Sequence, residues 1–414
     1  MNIWCISKYA GPPNYGTASR LFYLTKEFIS LGHKARLFTS DSNHLAEFPI
    51  TTAAYNDEII EGVPVCWVKT KKYKKTASVA RFISWLDFER KLFCMKTRHL
   101  ERPDVIIISS LSLLTILYGL YLKRKYSSIL VFEVRDVWPL TMTEEAGFSK
   151  RHPLVFLLGL LEKVAYRNSD LIVGTMPNLR LHVQRILGVD RDVFCSPLGF
   201  DAKSYQTTNL LEDNPFDNLF PQDKVVVGYA GSMGITNALD SFVSSIKALN
   251  GVENIHFMLV GSGDLRKGYE KELADCTNVT FLPRLKQEKV KYFLVKCDVL
   301  YLSTKDSEVW EYGQSMNKVV EYMLAAKPIV ASYTGYPSMI NEASCGSFVS
   351  TRREQELIEA LLSFVELGKS ERERLGANGR DWVFTHRQYS ILAKDYLDKL
   401  AELTDLRRKT NSAN

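Results

Sequence analysis

This 414-residue sequence lacks the patterns of a metalloprotein or a disulfide-stapled fold. Its seven cysteines, Cys5, Cys66, Cys94, Cys195, Cys276, Cys297 and Cys345, are odd in number and scattered, with no C-x-x-C pair. That excludes a disulfide framework and a zinc site and points to a reducing compartment. There is no H-E-x-x-H, no Ser/His/Asp nucleophile signature and no carboxylate cluster, so neither a bound metal nor a covalent hydrolase is expected. His33, His152 and His386 have no partner identifiable in the sequence. G-x-G-x-x-G and the P-loop are absent too. The apolar runs Leu111–Leu122 and Pro153–Leu161 are too short to span a bilayer. The opening Met1–Ile6 reads as a strand, without the basic start and cleavage site of a signal peptide.

What is present is an ordinary globular composition, 46% hydrophobic and 24% charged, over a length that calls for two domains. The net charge of +6 is unevenly spread. Residues 1–203 hold 28 Lys and Arg against 19 Asp and Glu, and the remainder 25 against 28. A basic first half suggests an anionic surface or substrate on that side.

Strands alternate with helices throughout. Asn2–Ser7, a helix from about Thr17 to Leu31 closed by Gly32, and His33–Thr39 form one βαβ unit, which predicts a parallel sheet. Asp104–Ser109 and Ser128–Val134 read as further strands, and Pro153–Asn168 as a long apolar helix. The polar segment 202–222 reads as a linker, after which the pattern restarts with strands Val225–Ala230, Ile255–Val260, Val279–Leu282, Asp298–Leu302 and Ile329–Ser332. The last helix is expected over Gln388–Leu406, followed by a disordered polar end.

Ligands of such sheets bind beyond the carboxyl ends of the strands. Three edges of the second half qualify. Gly231-Ser232-Met233-Gly234 and Gly261-Ser262-Gly263 each follow a strand, where glycine serves a tight turn or lets backbone approach a ligand. The third is the helix Met316–Ala326, with Ser315 as N-cap and Asn317, Lys318 and Glu321 in its first turns. A helix start favours an anion, and a carboxylate one turn beyond suits ribose hydroxyls. In the first half, the loops 9–16 and 135–139 occupy the same kind of edge. There Glu133, Arg135 and Asp136 read either as acid/base residues or as a local ion pair.

The segment Lys69–Arg102 stands apart, with eleven basic and three acidic residues around an aromatic helix. Basic charge beside aromatic bulk suits an anionic membrane surface, or a helix packed on its own domain with a solvated basic rim. No nucleic-acid-reading motif accompanies it, so nucleic acid is not an expected partner.

The combination Val260-Gly261-Ser262-Gly263-Asp264, Cys297-Asp298-Val299 and Asn317-Lys318 through Lys327-Pro328-Ile329-Val330 resembles the donor domain of GT-B-fold, family-4 retaining glycosyltransferases. Glu133-Val134-Arg135-Asp136-Val137-Trp138-Pro139 and Pro197-Leu198-Gly199-Phe200-Asp201 resemble the acceptor domain. The motifs Arg135-Asp136-Val137-Trp138-Pro139 and Ser315-Met316-Asn317-Lys318-Val319-Val320-Glu321-Tyr322-Met323 are most similar to the branch making bacterial surface polysaccharide such as O-antigen and capsule, including fucosamine-type transferases.

The resemblance implies an α/β fold of two Rossmann-like domains facing across a cleft. Residues 1–203 would bind the acceptor and 204–386 the nucleotide-sugar donor, with 387–414 crossing back as a helix with a disordered tail. It implies no cofactor beyond an NDP-sugar donor, with UDP the expected nucleotide, a lipid-linked acceptor, and a cytoplasmic, peripheral position on the inner membrane face reached through Lys69–Arg102. Donor contacts are expected from Gly16, Gly231, Ser232, Gly234, Gly261, Gly263, Arg284, Ser315, Met316, Asn317, Lys318 and Glu321, and catalytic work from Asp136, Arg135 and Glu133. Gly313 stands where the family places a first Glu, Arg135 where it places a His, and Ser232 and Asn237 near the family's phosphate-clamping Arg and Lys. A non-catalytic NDP-sugar-binding partner in an assembly complex, and a GT-B-fold epimerase, are the alternative readings.

Overall fold

Val105-Ile106-Ile107-Ile108 has no polar alternation, and every residue of that strand is buried, as a central parallel strand covered on both faces requires. It belongs to one of two sheets in a computed structural model that describes residues 1–16, 19–42, 49–73, 78–206, 216–351 and 353–413. The chain divides into two units, Met1–Asp201 with Tyr389–Asn414, and Ala202–Gln388.

The first unit carries β1 (Asn2–Ile6), β2 (Lys34–Ser40), β3 (Tyr55–Ile60), β4 (Val63–Val68), β5 (Val105–Ser109), β6 (Ile129–Val134), β7 (Leu171–Gly174) and β8 (Val193–Cys195). Their order is β3-β4-β2-β1-β5-β6-β7-β8, parallel except for the β3–β4 pair. That hairpin was not expected from the sequence. Its two-residue turn, Glu61-Gly62, has both residues left-handed (φ 47° and 81°), the geometry that matches strand twist.

Helices α1 (Arg20–Ser30), α2 (Val79–Cys94), α3 (Thr115–Tyr126), α4 (Leu140–Glu144), α5 (Pro153–Asn168) and α6 (Leu179–Leu187) connect the strands. The expected start of α1 at Thr17 lies outside the described residues.

The second unit holds α7 (Ala202–Gln206), β9 (Val225–Ala230), α8 (Asp240–Ala248), β10 (Ile255–Val260), α9 (Arg266–Glu272), β11 (Val279–Leu282), α10 (Gln287–Lys296) and β12 (Val299–Ser303). It continues with α11 (Asn317–Leu324), β13 (Ile329–Ser332), α12 (Met339–Glu342), β14 (Gly346–Val349), α13 (Glu354–Glu366) and α14 (Lys369–His386). Its six strands are all parallel, in the order β11-β10-β9-β12-β13-β14. The segment read as a linker begins as α7, where the Tyr205 hydroxyl donates to the Leu324 carbonyl at 2.7 Å; positions 207–215 lie outside the described residues.

The last helix, α15, runs Tyr389–Ala413, past the end expected near Leu406. Leu406 onward contains neither Gly nor Pro to stop it. α15 packs on α1 through the stacked pair Tyr23–Tyr389, with centroids 5.1 Å apart, and through Phe28–Tyr396 at 5.7 Å. α2, α3 and α5 cover the opposite face of the first sheet side by side.

Candidate functional site

The site is built by three strand ends and one helix of the second unit. Gly231 follows β9, Gly261 follows β10, and the chain leaving β11 carries Arg284. Lys318 and Glu321 lie one turn apart on α11. These residues, with Ser232, line a single pocket of about 460 Å³, within the range of small-molecule sites. Six residues expected to bind donor, from four separate stretches of sequence, therefore meet in one place.

Tight backbone approach makes the pocket possible. A Cβ at Gly261, whose φ is +146°, would lie 1.8 Å from the Gly231 carbonyl oxygen. One at Gly231 would lie 2.7 Å from the Lys318 ammonium. Lys318 is thereby laid across the end of β9. Its Nζ donates to the Tyr229 hydroxyl at 3.2 Å and to Asn237 Oδ1 at 3.1 Å, and sits 4.6 Å from the Tyr229 ring centroid. The Tyr229 hydroxyl in turn donates to the Ser232 carbonyl at 2.7 Å. Tyr322, next to Glu321, accepts the Ala230 N–H at 3.1 Å and so fixes α11 to β9.

Burial lowers the Lys318 ammonium to about 8, with Glu321 opposing the shift. Burial holds the Glu321 carboxyl above its usual range, with Lys291 and Lys318 pulling it back. A cation and a carboxylate held out of bulk water, each with part of its field directed into a pocket, are equipped to bind an anion carrying hydroxyls.

Two details depart from the sequence reading. Ser315 is not the N-cap: Met316 is, without a side-chain cap, and its N–H is taken by Gln314 Oε1 at 3.3 Å. The N–H groups of 231–234 are not all available either. Gly231 donates to the Val260 carbonyl at 3.0 Å and Met233 to Ser262 at 2.9 Å, because the β9–β10 pairing continues past the strands. Gly234, Gly263, Ser315, Met316 and Asn317 stand outside the pocket lining. Gly263 is required by packing, since a Cβ there would lie 2.3 Å from the Met233 carbonyl oxygen. Gly234 begins the turn Ile235–Asn237, and Asn317 is exposed at the first position of α11.

Tyr229 and Arg266 escaped the sequence reading. Arg266 ties two pocket loops by donating to the carbonyls of Gly261 and Leu282. A tyrosine inside an otherwise apolar strand, needing a partner for its hydroxyl, was the signal for Tyr229.

In the first unit, Asp136 is exposed and Arg135 partly so, in the loop after β6. Ser110 Oγ accepts the Arg135 N–H at 3.0 Å and donates to the Asp136 carbonyl at 3.3 Å, pinning the loop to the end of β5. Gly16 closes the turn Pro13–Tyr15 in the loop after β1, at the same edge of the sheet. Glu133 does not share this exposure. It is wholly buried and paired with Arg20, with Arg20 Nε 3.4 Å from Glu133 Oε1. Arg20 also donates to Ser196 Oγ at 2.9 Å and to the Pro197 carbonyl. Of the two readings of the Glu133–Asp136 group, the ion pair describes Glu133, with Arg20 rather than Arg135 as its partner. Among the described residues no cluster of three potential metal ligands occurs, and no helix is long and apolar enough to cross a membrane.

Residues 16–195 match the family model "Glycosyl transferase 4-like domain" and residues 224–366 match "Glycosyl transferases group 1". The fold is that of sucrose-phosphate synthase from Thermosynechococcus elongatus, at a TM-score of 0.72, 15% identity and 100% coverage of both chains. The chain belongs to the GT-B glycosyltransferases. Within this fold the glycosyltransferase is also similar to Anabaena HepE solved in complex with UDP, at a TM-score of 0.67 and 13% identity, covering 97% of this chain and 100% of that one. A third similar structure is WaaG, a glycosyltransferase involved in lipopolysaccharide biosynthesis, at a TM-score of 0.63 and 14% identity, covering 95% and 98%. No curated protein sequence matches this glycosyltransferase.

Proposed function

We propose that this glycosyltransferase moves a sugar, with retention, from a UDP-sugar to a lipid-linked acceptor in the synthesis of bacterial surface polysaccharide. The observation that carries the reading is the convergence of Arg284, Lys318 and Glu321 on one pocket with the glycine turns of β9 and β10. The bound UDP of HepE and the lipopolysaccharide role of WaaG support the choice of donor and product.

In this reading the diphosphate lies against Lys318 and the tip of α11, and Glu321 accepts from the ribose hydroxyls. Negative charge grows on the departing diphosphate as the glycosidic bond breaks. Lys318 and Arg284 stabilise that charge without a metal ion. The acceptor hydroxyl attacks from the leaving-group face, and its proton passes to the diphosphate oxygen. Asp136 and Arg135 orient the acceptor or the donor sugar from the edge of the first sheet and form no covalent intermediate. The Lys69–Arg102 segment brings the first domain to an anionic membrane surface.

The test is turnover. A panel of NDP-sugars is incubated with the enzyme and a bacterial lipid extract, and the lipid products are read by mass spectrometry. A hexose or aminosugar increment on a lipid-linked species, dependent on Lys318 and Asp136, is the expected result. UDP binding with no transfer from any donor would favour a non-catalytic binding role instead.

A further inference from the structure

The outer surface of the α2–α3–α5 layer is apolar where a water-facing surface is ordinarily polar. On α2, Ile83, Leu86 and Phe93 are exposed, at 40%, 47% and 48%. On α3, Leu117 and Tyr121 are exposed, and the Phe93 ring meets Tyr121 at 5.7 Å, joining the two helices' apolar stripes. On α5, Phe156, Leu157 and Leu160 are exposed, Phe156 at 67%. Isolated exposed leucines need no explanation, but eight large apolar groups on three adjacent helices are a patch that marks an interaction surface.

Charge identifies the occupant. α3 contains no acidic residue. On α2, Asp87 is paired with Arg90 and Lys91, and Glu89 is buried. On α5, Glu162 is buried against His182. The layer thus turns no unpaired acid outward. Lys71 and Arg151 are exposed at the end of the layer nearest the carboxyl edge of the sheet, beside Lys150, which lies 3.7 Å from Glu144, and Arg124 and Lys125 are exposed at the other end. A protein partner's groove would account for the apolar groups alone. An apolar face rimmed at both ends by cations fits a bilayer that carries anionic headgroups.

Position gives the face its use. α2, α3 and α5 each start at the carboxyl edge of the sheet, so Ile83, Leu86, Leu117, Phe156 and Leu157 lie in the halves nearest that edge. Gly159 of α5 packs against the Pro139 ring, within 3.9 Å of a Cβ built on it, so this end of the face adjoins the loop carrying Arg135 and Asp136.

We propose that the α2–α3–α5 face is a docking surface for an anionic phospholipid bilayer, with the first turns of α5 as the deepest-inserted element. This extends the membrane reading of Lys69–Arg102 and moves the apolar anchor away from the basic run. Two lysines of that run are tied to the domain, Lys69 donating to the Thr51 carbonyl at 3.1 Å and Lys72 pairing with buried Asp41 at 2.8 Å, while Lys74 and Lys75 lie outside the described residues.

Co-sedimentation with vesicles of phosphatidylglycerol and phosphatidylethanolamine, with pure phosphatidylcholine as control, tests the assignment. The full chain should partition onto the anionic vesicles. The triple variant F156S/L157S/L160S should lower partitioning about ten-fold or more, from the lost burial of three large side chains. The pair I83S/L86S, on a different helix, should lower it too. UDP titration of both variants should match the unaltered protein, because the substituted positions lie in the first domain. If UDP fails to bind while the vesicle results stand, the nucleotide reading falls and the docking face remains. Unchanged partitioning of both variants overturns the proposal. So does self-association of the unaltered chain in lipid-free buffer that F156S/L157S/L160S abolishes, since a second copy would then cover the face.

Discussion

The ammonium of Lys318 lies over the ring of Tyr229, 4.6 Å from its centroid, with its Nζ 3.2 Å from that residue's hydroxyl. β9 supplies the tyrosine and α11 the lysine, so the contact presets the cation before any ligand arrives. Preset charge costs no reorganisation when negative charge develops on a leaving group.

Gly231→Ala should dislodge this lysine without unfolding the domain. The added methyl would meet the flexible end of Lys318, at 2.7 Å from Nζ and 3.0 Å from Cε, and the Tyr229 hydroxyl at 3.0 Å. UDP affinity should fall about ten-fold, the scale of one weakened charge-assisted hydrogen bond, while the melting temperature shifts little. Calorimetric titration beside a thermal melt checks both. Gly261→Ala should behave oppositely, lowering the melting temperature strongly, because its methyl would meet backbone at 1.8 Å with φ at +146°.

UDP affinity should depend on pH through Lys318. Its amine is held at about 8 by burial, so it is charged below that pH and increasingly neutral above it. A bound diphosphate favours the charged form. Affinity should therefore be level between pH 6.5 and 7.5 and decline above pH 8, by up to about ten-fold per pH unit. Binding at pH 8.5 should take up protons, seen as a dependence of the calorimetric heat on buffer ionisation enthalpy. Glu321, raised above the usual carboxylate range, should add a loss of affinity at the acid end as it becomes protonated.

Glu133 should prove structural. Glu133→Ala leaves the buried Arg20 without its carboxylate, a change that costs about 3–5 kcal/mol in comparable buried pairs. A chemical denaturation curve should show that loss. A fully stable variant with abolished turnover would instead restore Glu133 to the chemistry.

Asp136→Asn should leave UDP affinity unchanged, since Asp136 stands in the first domain, and lower turnover about a hundred-fold, the scale of a lost positioning contact. Steady-state rates beside a UDP titration separate the two effects.

Much of this architecture was legible in the chain because strong local patterns met no competing signal. The buried run at 105–108 and the βα turns at 231 and 261 were read at their observed places. The pocket was legible in part, because a helix start with Lys318 and Glu321 carries its chemistry within a few residues. Other features depended on distant partners. The β3–β4 hairpin pairs Tyr55–Ile60, rich in polar groups, with an apolar strand, so neither half shows a clean alternation. Glu133 sits beside Arg135 in sequence, yet its partner Arg20 comes from α1. The use of the Gly231 and Met233 N–H groups by β10 follows from register, which no local motif reveals. The capping position assigned to Ser315 falls on Met316, which carries no side-chain acceptor, because α11 begins at Asn317.

The central claim is that the pocket between β9, β10 and α11 holds a nucleoside diphosphate, with Lys318 on the phosphates and Glu321 on the ribose. Titration calorimetry of UDP into the unaltered chain and into Glu321→Ala tests it most directly. The account predicts saturable one-to-one binding that weakens about ten- to a hundred-fold in the variant, the scale of charge-assisted hydrogen bonds to the ribose hydroxyls. Equal UDP affinity in the two proteins would contradict it.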